Sequence, residues 1–207
     1  MTDKNKGIIL DLCGGTGSWS LPYKEAGFDV RVITTPDNDV RTYKLPSSPI
    51  YGILAAPPCT MFSLARTRAK KPRDFREGME IVKACLNLIW EARYEPRYKK
   101  DGCLQFWALE NPSGFLRQFL GKPAMTWNPW EFGDPYTKST DLWGYFNAPR
   151  KNPTIMNKEQ ENRNKINNRK LPSISDFTGS KQAARRAITP KGFANAFFKA
   201  NSKELPA

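Results

Sequence analysis

The chain has 207 residues, 39% of them hydrophobic, which is enough to bury one core but not to build two full domains. Its formal charge of +13 favours a polyanionic partner such as nucleic acid. No apolar run approaches the length of a membrane helix, and the N-terminus lacks a signal pattern, so we expect a cytoplasmic protein without membrane contact. The chain has no histidine and no CxxC pair among its four cysteines. That excludes Ser–His and Cys–His catalysis and predicts no metal site.

A strand and a glycine turn open the chain. Residues 7–12 are apolar except for Asp11, and a helical stretch begins at Leu21. Between them lie three glycines, Gly14, Gly15 and Gly17. Glycines let the backbone turn tightly and approach a ligand, and Asp11 at the strand end can hold an ammonium group. The spacing is not that of a phosphate-binding loop, and an ordinary tight turn is the alternative.

A second strand is predicted over residues 29–34, and a turn-rich segment follows it. If the first turn binds an adenosine-type cofactor, Asp37 and Asp39 are placed to meet its ribose hydroxyls or adenine amino group. Solvated turn aspartates are the alternative.

The third predicted strand leads to a cysteine. Residues 51–56 have the length and bounding residues of a buried strand, and they end at Pro57-Pro58-Cys59. A thiol there lies where open α/β sheets place their ligands, although an inert loop cysteine is the alternative. A basic loop over residues 64–75 follows, and then a helix over 78–90 in which Cys85 takes a core position.

A fourth predicted strand, residues 103–109, delivers Glu110 to the same edge as Cys59. At the mouth of an apolar strand a glutamate has a raised pKa, so it can donate a proton to a ring nitrogen while its other oxygen accepts from an exocyclic amine. A capping or salt-bridged glutamate is the alternative. The sequence therefore predicts a thiol and a carboxyl in one crevice.

In this order, the motifs resemble those of the DNA (cytosine-5) methyltransferase family in reduced form. Residues 11–19 are similar to the family's cofactor motif D-x-F-x-G-x-G-G-F, with Trp19 in the position of the aromatic that lies against the cofactor. Residues 39–40 resemble the motif that reads adenine. Residues 58–63 resemble the catalytic motif P-C-Q-x-F-S, and residues 110–112 resemble the E-N-V motif.

Later segments resemble the family more loosely. Residues 73–78 are similar to the stretch that closes the catalytic loop, and 133–140 to G-x-P-Q-x-R-x-R, with Lys138 and Thr140 in the two arginine positions. Residues 188–198 resemble the C-terminal motif that returns beside the cofactor.

The resemblance implies an α/β fold of the Rossmann-like, S-adenosylmethionine-dependent methyltransferase class, with a mostly parallel, doubly wound sheet and a very small recognition insert. It divides the chain into a catalytic and cofactor-binding core (1–146), a basic DNA-contact segment (147–186) and a C-terminal helix returning to the core (187–207). The small size is similar to that of phage or mobile-element modification enzymes.

The resemblance also assigns roles. The catalytic residues are Cys59, Glu110 and Lys138. The residues that bind S-adenosylmethionine are Asp11, Gly14, Gly15, Gly17, Trp19, Asp37, Asp39, Val40 and Pro57. The residues that contact nucleic acid are Ser63, Arg66, Arg68, Arg73, Thr140, Arg150, Lys151 and Arg185. Cys59 attacks carbon 6 of a flipped cytosine, Glu110 assists at nitrogen 3, and carbon 5 receives the methyl group.

Two other functions stay open: RNA cytosine-5 methylation, whose enzymes generally carry a second cysteine in the nucleophile's motif, and DNA binding by a catalytically inactive relative. The segment 147–186 is rich in Asn, Lys and Arg and contacts phosphates more than bases, unless it lacks structure. A monomer is expected, with a helper protein as a possible source of target specificity.

Overall fold

The computed structural model describes residues 6–66, 69–95, 104–153, 171–174 and 187–202. The strands in these ranges are β1 (Ile8–Leu12), β2 (Asp29–Ile33), β3 (Ile50–Ala55), β4 (Phe106–Pro112), β5 (Met125–Trp127) and β6 (Thr140–Tyr145). The helices are α1 (Leu21–Glu25), α2 (Phe75–Tyr94), α3 (Arg117–Leu120) and α4 (Lys191–Asn201), with a 3₁₀ turn at Pro129–Phe132.

The strands form one sheet in the order β2-β1-β3-β4-β6-β5. The first four are parallel, and β6 runs antiparallel to both β4 and β5. The predicted α/β class with a mostly parallel sheet is therefore confirmed at the level of a mixed, Rossmann-like sheet. β2 lies beside β1 in one direction along the sheet, and β3 lies beside it in the other. The gap between β1 and β3 is therefore the topological switch point.

Alternating residues of β1 show why the sheet is covered on both sides. Ile8 and Leu10 pack into a core with α2, whereas Ile9 packs into a second core with α1 and α4. Successive strand residues point to opposite faces, so an apolar run such as β1 is stable only when helices cover both. We call these two sides the α2 face and the α4 face.

β4 runs further than the sequence predicts. The apolar run suggested an end at Leu109, but the strand continues to Pro112 because β6 pairs with it: Glu110 lies opposite Leu142, and Asn111 lies opposite Asp141. Neither β5 nor β6 was predicted. Glu110 is thus held inside a ladder rather than at the start of a loop.

α2 contains the predicted helix and extends it at both ends. It begins after Asp74, whose side chain accepts a hydrogen bond of 2.9 Å from the Glu77 backbone N–H and caps the first turn. Within the described ranges, no helix combines the length and hydropathy that a bilayer span requires. Arg68, Arg185 and most of the segment 147–186 lie outside the described residues, so their predicted DNA contacts stay predictions.

Candidate active site

The carboxyl ends of β1, β3 and β4 meet at one edge of the sheet and carry the predicted site residues. The register places Asp11 opposite Leu54, and Ala55 opposite Leu109. The loop that holds Cys59 therefore leaves β3 beside Glu110. Strand spacing puts β1 and β4 about 10 Å apart, with β3 between them.

Asp11 is a fully buried carboxylate at this edge. Ser20 Oγ donates to its Oδ2 at 2.6 Å, while Oδ1 is buried and accepts no hydrogen bond from the described residues. Burial raises the pKa of Asp11 to about 6, although hydrogen bonds from Ser20 act to lower it. A buried carboxylate with one unsatisfied oxygen has a free acceptor for a cationic ligand group. Sequence reasoning did not identify Ser20 as its partner.

The glycine turn packs directly on this carboxylate. A Cβ at Gly14 would lie 2.3 Å from Asp11 Cγ, so no larger residue fits there. Gly15 and Gly17 have φ of +55° and +69°, and a Cβ at Gly15 would meet nothing within 4 Å. The turn therefore packs against the Asp11 carboxylate at Gly14, whereas the backbone of the turn is open to a ligand at Gly15.

Two residues that the resemblance places against the cofactor lie in the hydrophobic cores, and their contact with a cofactor stays a prediction. Trp19 is 2% exposed, and its ring packs against Phe193 and Phe197 of α4, at centroid distances of 6.0 and 5.4 Å. Val40 is buried on the α2 face. The two side chains lie on opposite faces of the sheet, and both are buried.

The two turn aspartates differ in their surroundings. Asp39 forms an ion pair with Arg41, whose hydrogen bonds lower the pKa of Asp39 to about 2. Asp37 is exposed. The carboxylate of Asp39 is thus already engaged by its own neighbour.

The Cys59 loop is tethered to β4 by a buried amide. Asn111 is fully buried, and its Nδ2 donates to the carbonyl of Pro57 at 2.9 Å. Cys59 is partly exposed and not in a disulfide, and its carbonyl accepts from the Phe62 and Ser63 N–H groups at 3.0 and 2.8 Å. The thiol therefore sits on a short, internally bonded turn.

A second connection closes the same turn. The Phe115 N–H donates to the Phe62 carbonyl at 2.9 Å, and Ser63 forms a β-bridge with Gly114. A Cβ at Gly114 would lie 2.4 Å from the Phe62 oxygen, so this approach requires glycine. Sequence reasoning missed Asn111 and Gly114 as positioning residues, although a polar residue directly after an apolar run was the available signal.

Glu110 points to the α4 face, because it alternates with Ala108 and Phe106 of that core. Its side chain is partly buried, but Oε2 is fully buried and accepts no hydrogen bond from the described residues. Burial raises the pKa of Glu110, and the nearby charge of Lys138 opposes that rise. The carboxyl is therefore biased towards holding a proton.

The basic loop uses two of its predicted DNA-binding arginines internally. Arg66 donates to the carbonyls of Lys71 and Pro72 at 2.9 and 3.1 Å. Arg73 donates to the Met61 carbonyl at 2.9 Å and lies over the Phe115 ring at 4.9 Å. These guanidinium groups shape the loop after Ser63, and a cavity of about 450 Å³ lies between them.

Three other predicted nucleic-acid residues lie at the start of β6 or after its end. Thr140 is 1% exposed, and its hydroxyl donates to the Lys138 carbonyl at 2.9 Å, so its side chain does not reach solvent. Arg150 and Lys151 are exposed in the segment after β6, beside α4.

Cys85 is buried in the core on the α2 face, which confirms the prediction. Its Sγ lies 4.0 Å from Cys13 Sγ, next to the glycine turn. In the part of the chain that the structure describes, no group of three or more Cys, Asp or Glu side chains could hold a metal ion.

No protein-family model matches this chain, and neither does any curated protein. S-adenosylmethionine, which the motif resemblance implies, carries an ammonium and a sulfonium charge beside an adenosine. The unsatisfied oxygen of Asp11 and the uncovered backbone at Gly15 fit such a group at the switch point between β1 and β3.

Proposed function

We propose that this protein is a DNA (cytosine-5) methyltransferase. The observation that supports it best is the Asn111 tether, which holds the Cys59 turn against the strand that carries Glu110. A nucleophilic thiol and a proton-holding carboxyl on adjacent strands are the two groups that addition to a pyrimidine ring needs.

The cofactor residues in this proposal are Asp11, Gly14, Gly15 and Gly17. Asp11 Oδ1 would accept from the ammonium group, and the glycine backbone would lie along the ligand without side chains in the way. S-adenosylmethionine supplies an activated methyl group on a sulfonium sulfur.

Carbon 5 of cytosine is too electron-poor to take a methyl group unaided. The Cys59 thiolate adds to carbon 6, forming a C–S bond, while the proton held on Glu110 is shared with nitrogen 3, so carbon 5 gains electron density. Once carbon 5 carries the methyl group, its proton leaves to water, the C–S bond breaks and the thiolate is restored. No histidine is needed at any step.

The target base reaches this crevice only after leaving the duplex, because carbon 6 lies inside the base stack. The high net charge favours a nucleic acid as the substrate, and the single cysteine in the Cys59 motif favours DNA over RNA. Asn111 and Gly114 act as positioning residues: they fix the turn that presents Cys59 and do not touch the base.

The test is transfer of labelled methyl from S-adenosylmethionine to DNA and to RNA of mixed sequence. We expect label in DNA, and loss of at least about a thousandfold in Cys59→Ser, because a serine hydroxyl is a much weaker nucleophile than a thiolate. Cys85→Ala, which removes a core thiol on α2, is the matched control and should keep most of the activity.

A duplex with 5-fluorocytosine sharpens the test. Fluorine cannot leave as a proton, so the proposed adduct should persist as a covalent complex through Cys59, visible as a mass increase of the protein. Label in RNA alone would change the substrate class, and no transfer to either would refute the proposal.

A further inference from the structure

Two cysteines that the proposed mechanism does not use lie beside the glycine turn. Cys13 directly follows β1, and Cys85 is a core residue of α2. Their Sγ atoms are 4.0 Å apart, at the distance of a thiol–thiol hydrogen bond, and both cysteines are free. The cofactor motif that residues 11–19 resemble carries Phe in the place of Cys13, so this pair is a feature of the chain itself.

The two thiols differ in exposure and in protonation. Cys85 is fully buried among apolar side chains, whereas Cys13 is partly exposed. The hydrogen bond with Cys85 lowers the pKa of Cys13, although burial and the charges of Asp11 and Asp39 oppose this effect. The same hydrogen bond, together with burial, raises the pKa of Cys85. Cys13 is therefore the thiol that an oxidant reaches first, and Cys85 is its protonated neighbour.

Cys13 lies on a turn, whereas Cys85 lies on a long, packed helix. The φ of Cys13 is +58°, in the left-handed region that favours glycine, so its backbone keeps this shape only where the surroundings hold it. Cys85 lies in the 20-residue helix α2, whose buried residues pack against the sheet. A disulfide S–S bond is about 2.05 Å long, so the sulfur atoms must approach by about 2 Å for the bond to form. We expect the turn to supply that movement.

Movement of Cys13 towards α2 would disturb the surroundings of Asp11. The next residue, Gly14, packs so closely on that carboxylate that a Cβ there would lie 2.3 Å from its Cγ. The Gly14 carbonyl also accepts from the Gly17 N–H at 2.9 Å, which couples it to the rest of the turn. A shift at Cys13 therefore passes to the residues that the proposed function assigns to the cofactor.

We propose that Cys13 and Cys85 are a redox-sensitive pair, in which a peroxide forms a disulfide that opens the glycine turn and a thiol reductant restores the turn. Formation of the disulfide does not depend on methyl transfer. Its effect on S-adenosylmethionine rests on the proposed function.

The oxidation proceeds in two steps. The Cys13 thiolate attacks one peroxide oxygen, the O–O bond breaks, and the leaving hydroxide takes up the thiol's proton, which gives water and a sulfenic acid on Cys13. The Cys85 sulfur then attacks the sulfenic sulfur, the S–O bond breaks, and hydroxide leaves with the Cys85 proton as a second water. Two electrons pass from the two thiols to the peroxide. A dithiol reductant reverses the change by thiol–disulfide exchange.

The first measurement identifies the bond. The full chain is treated with hydrogen peroxide, its remaining thiols are alkylated, and it is digested with trypsin without reduction. We expect the peptides 7–24 and 84–93, which carry Cys13 and Cys85, to be joined by a disulfide that dithiothreitol releases. A disulfide between other cysteines in place of this one, or two separate peptides, overturns the proposal.

The second measurement follows the turn by hydrogen–deuterium exchange without cofactor. Oxidation should speed the exchange of amides over residues 13–20 in the unsubstituted protein, because the turn opens. It should leave this exchange unchanged in Cys85→Ala and in Cys13→Ser, which each remove one thiol. Two variants are used because a substitution in the core or in the turn can disturb its own surroundings. Unchanged or slower exchange in the disulfide-linked protein overturns the proposal.

Titration calorimetry with S-adenosylmethionine tests the connection to the proposed function. Oxidation should weaken binding at least about tenfold, the loss expected when one hydrogen bond to a charged group is removed. Both variants keep Cys59, so they control for its oxidation, and their affinities should not change with peroxide. Unchanged affinity in the disulfide-linked, unsubstituted protein overturns the proposal.

The two proposals can fail separately. A reduced protein that does not bind S-adenosylmethionine would count against the proposed function alone, because the disulfide and the amide exchange of the turn are measured without the cofactor. A protein that binds S-adenosylmethionine and transfers methyl groups but forms no disulfide between Cys13 and Cys85 would refute only the redox pair.

Discussion

Two carboxylates on neighbouring strands, the fully buried Asp141 of β6 and the partly buried Glu110 of β4, have opposite environments. Asp141 is fully buried and accepts from Arg117 at 2.6 Å, Thr126 at 2.7 Å and Ser113 at 2.8 Å. Burial acts to raise its pKa, but these hydrogen bonds and the Arg117 charge lower it. Glu110 has a buried oxygen that no described residue satisfies, and burial raises its pKa.

In the proposed function, the difference separates a structural carboxylate from one that meets a ligand. A buried carboxylate that is fully bonded stabilises its charged form and fixes the loops around it. One left unbonded costs stability unless it holds a proton or meets a partner. Asp11 belongs with Glu110 in this respect, since its Oδ1 is also buried and unsatisfied.

The largest expected effect is that of Glu110→Gln on methyl transfer. The amide keeps the shape of the side chain but cannot supply the proton at nitrogen 3, so activity should fall by about 10²- to 10⁴-fold. Stability at pH 7 should stay level or increase, because the amide is neutral at every pH, whereas the carboxyl must hold a proton to avoid a buried, unsatisfied charge. Turnover and denaturant unfolding of the same preparation measure both effects.

Asp141→Asn is the matched control for this comparison, since it makes the same chemical change in the bonded carboxylate. It should keep turnover within a few-fold while losing stability. The comparison fails if Glu110→Gln is the variant that unfolds more easily and turnover follows the folded fraction.

The next effect concerns the pH dependence of stability at Asp11. Its folded-state pKa of about 6 lies above the unfolded value, so its contribution is full at low pH and is lost as pH rises through 6. Asp11→Asn stays neutral. Between about pH 4 and pH 8 the unsubstituted protein should therefore lose about 2–3 kcal/mol of unfolding free energy relative to the variant.

S-adenosylmethionine provides the complementary measurement at Asp11. Its ammonium favours the charged carboxylate, so affinity measured by titration calorimetry should weaken below about pH 6 in the unsubstituted protein, and much less in Asp11→Asn. A variant curve parallel to that of the unsubstituted protein would show that Asp11 does not titrate in this range.

Sequence reasoning reached the parallel strands and their shared edge because β1 and β3 are continuous apolar runs with clear ends. It missed β6, whose opening Thr140-Asp141 is polar and is buried only because Ser113 and Arg117, far away in sequence, bond to Asp141. Trp19 shows a similar limit: the motif position says that an aromatic is present, but not that its ring packs against α4, and its predicted cofactor contact stays a prediction.

The smallest expected effect is the loss of stability in Asp141→Asn. The amide cannot accept hydrogen bonds from Arg117, Ser113 and Thr126 as the carboxylate does, but Arg117 is 45% exposed and regains water, so the cost should be about 1–3 kcal/mol.

Because the folded pKa of Asp141 is lowered, its contribution is present above the unfolded pKa and is lost as pH falls. The gap between the two proteins should therefore narrow below about pH 4, the reverse of the trend at Asp11. Denaturant midpoints at matched salt measure this difference in stability. Thr126→Val, which removes one of the donors to Asp141, should cost less stability than Asp141→Asn. If the difference in stability between the two proteins grew in acid, Asp141 would behave like the unsatisfied carboxylates Glu110 and Asp11, and the contrast between them would not hold.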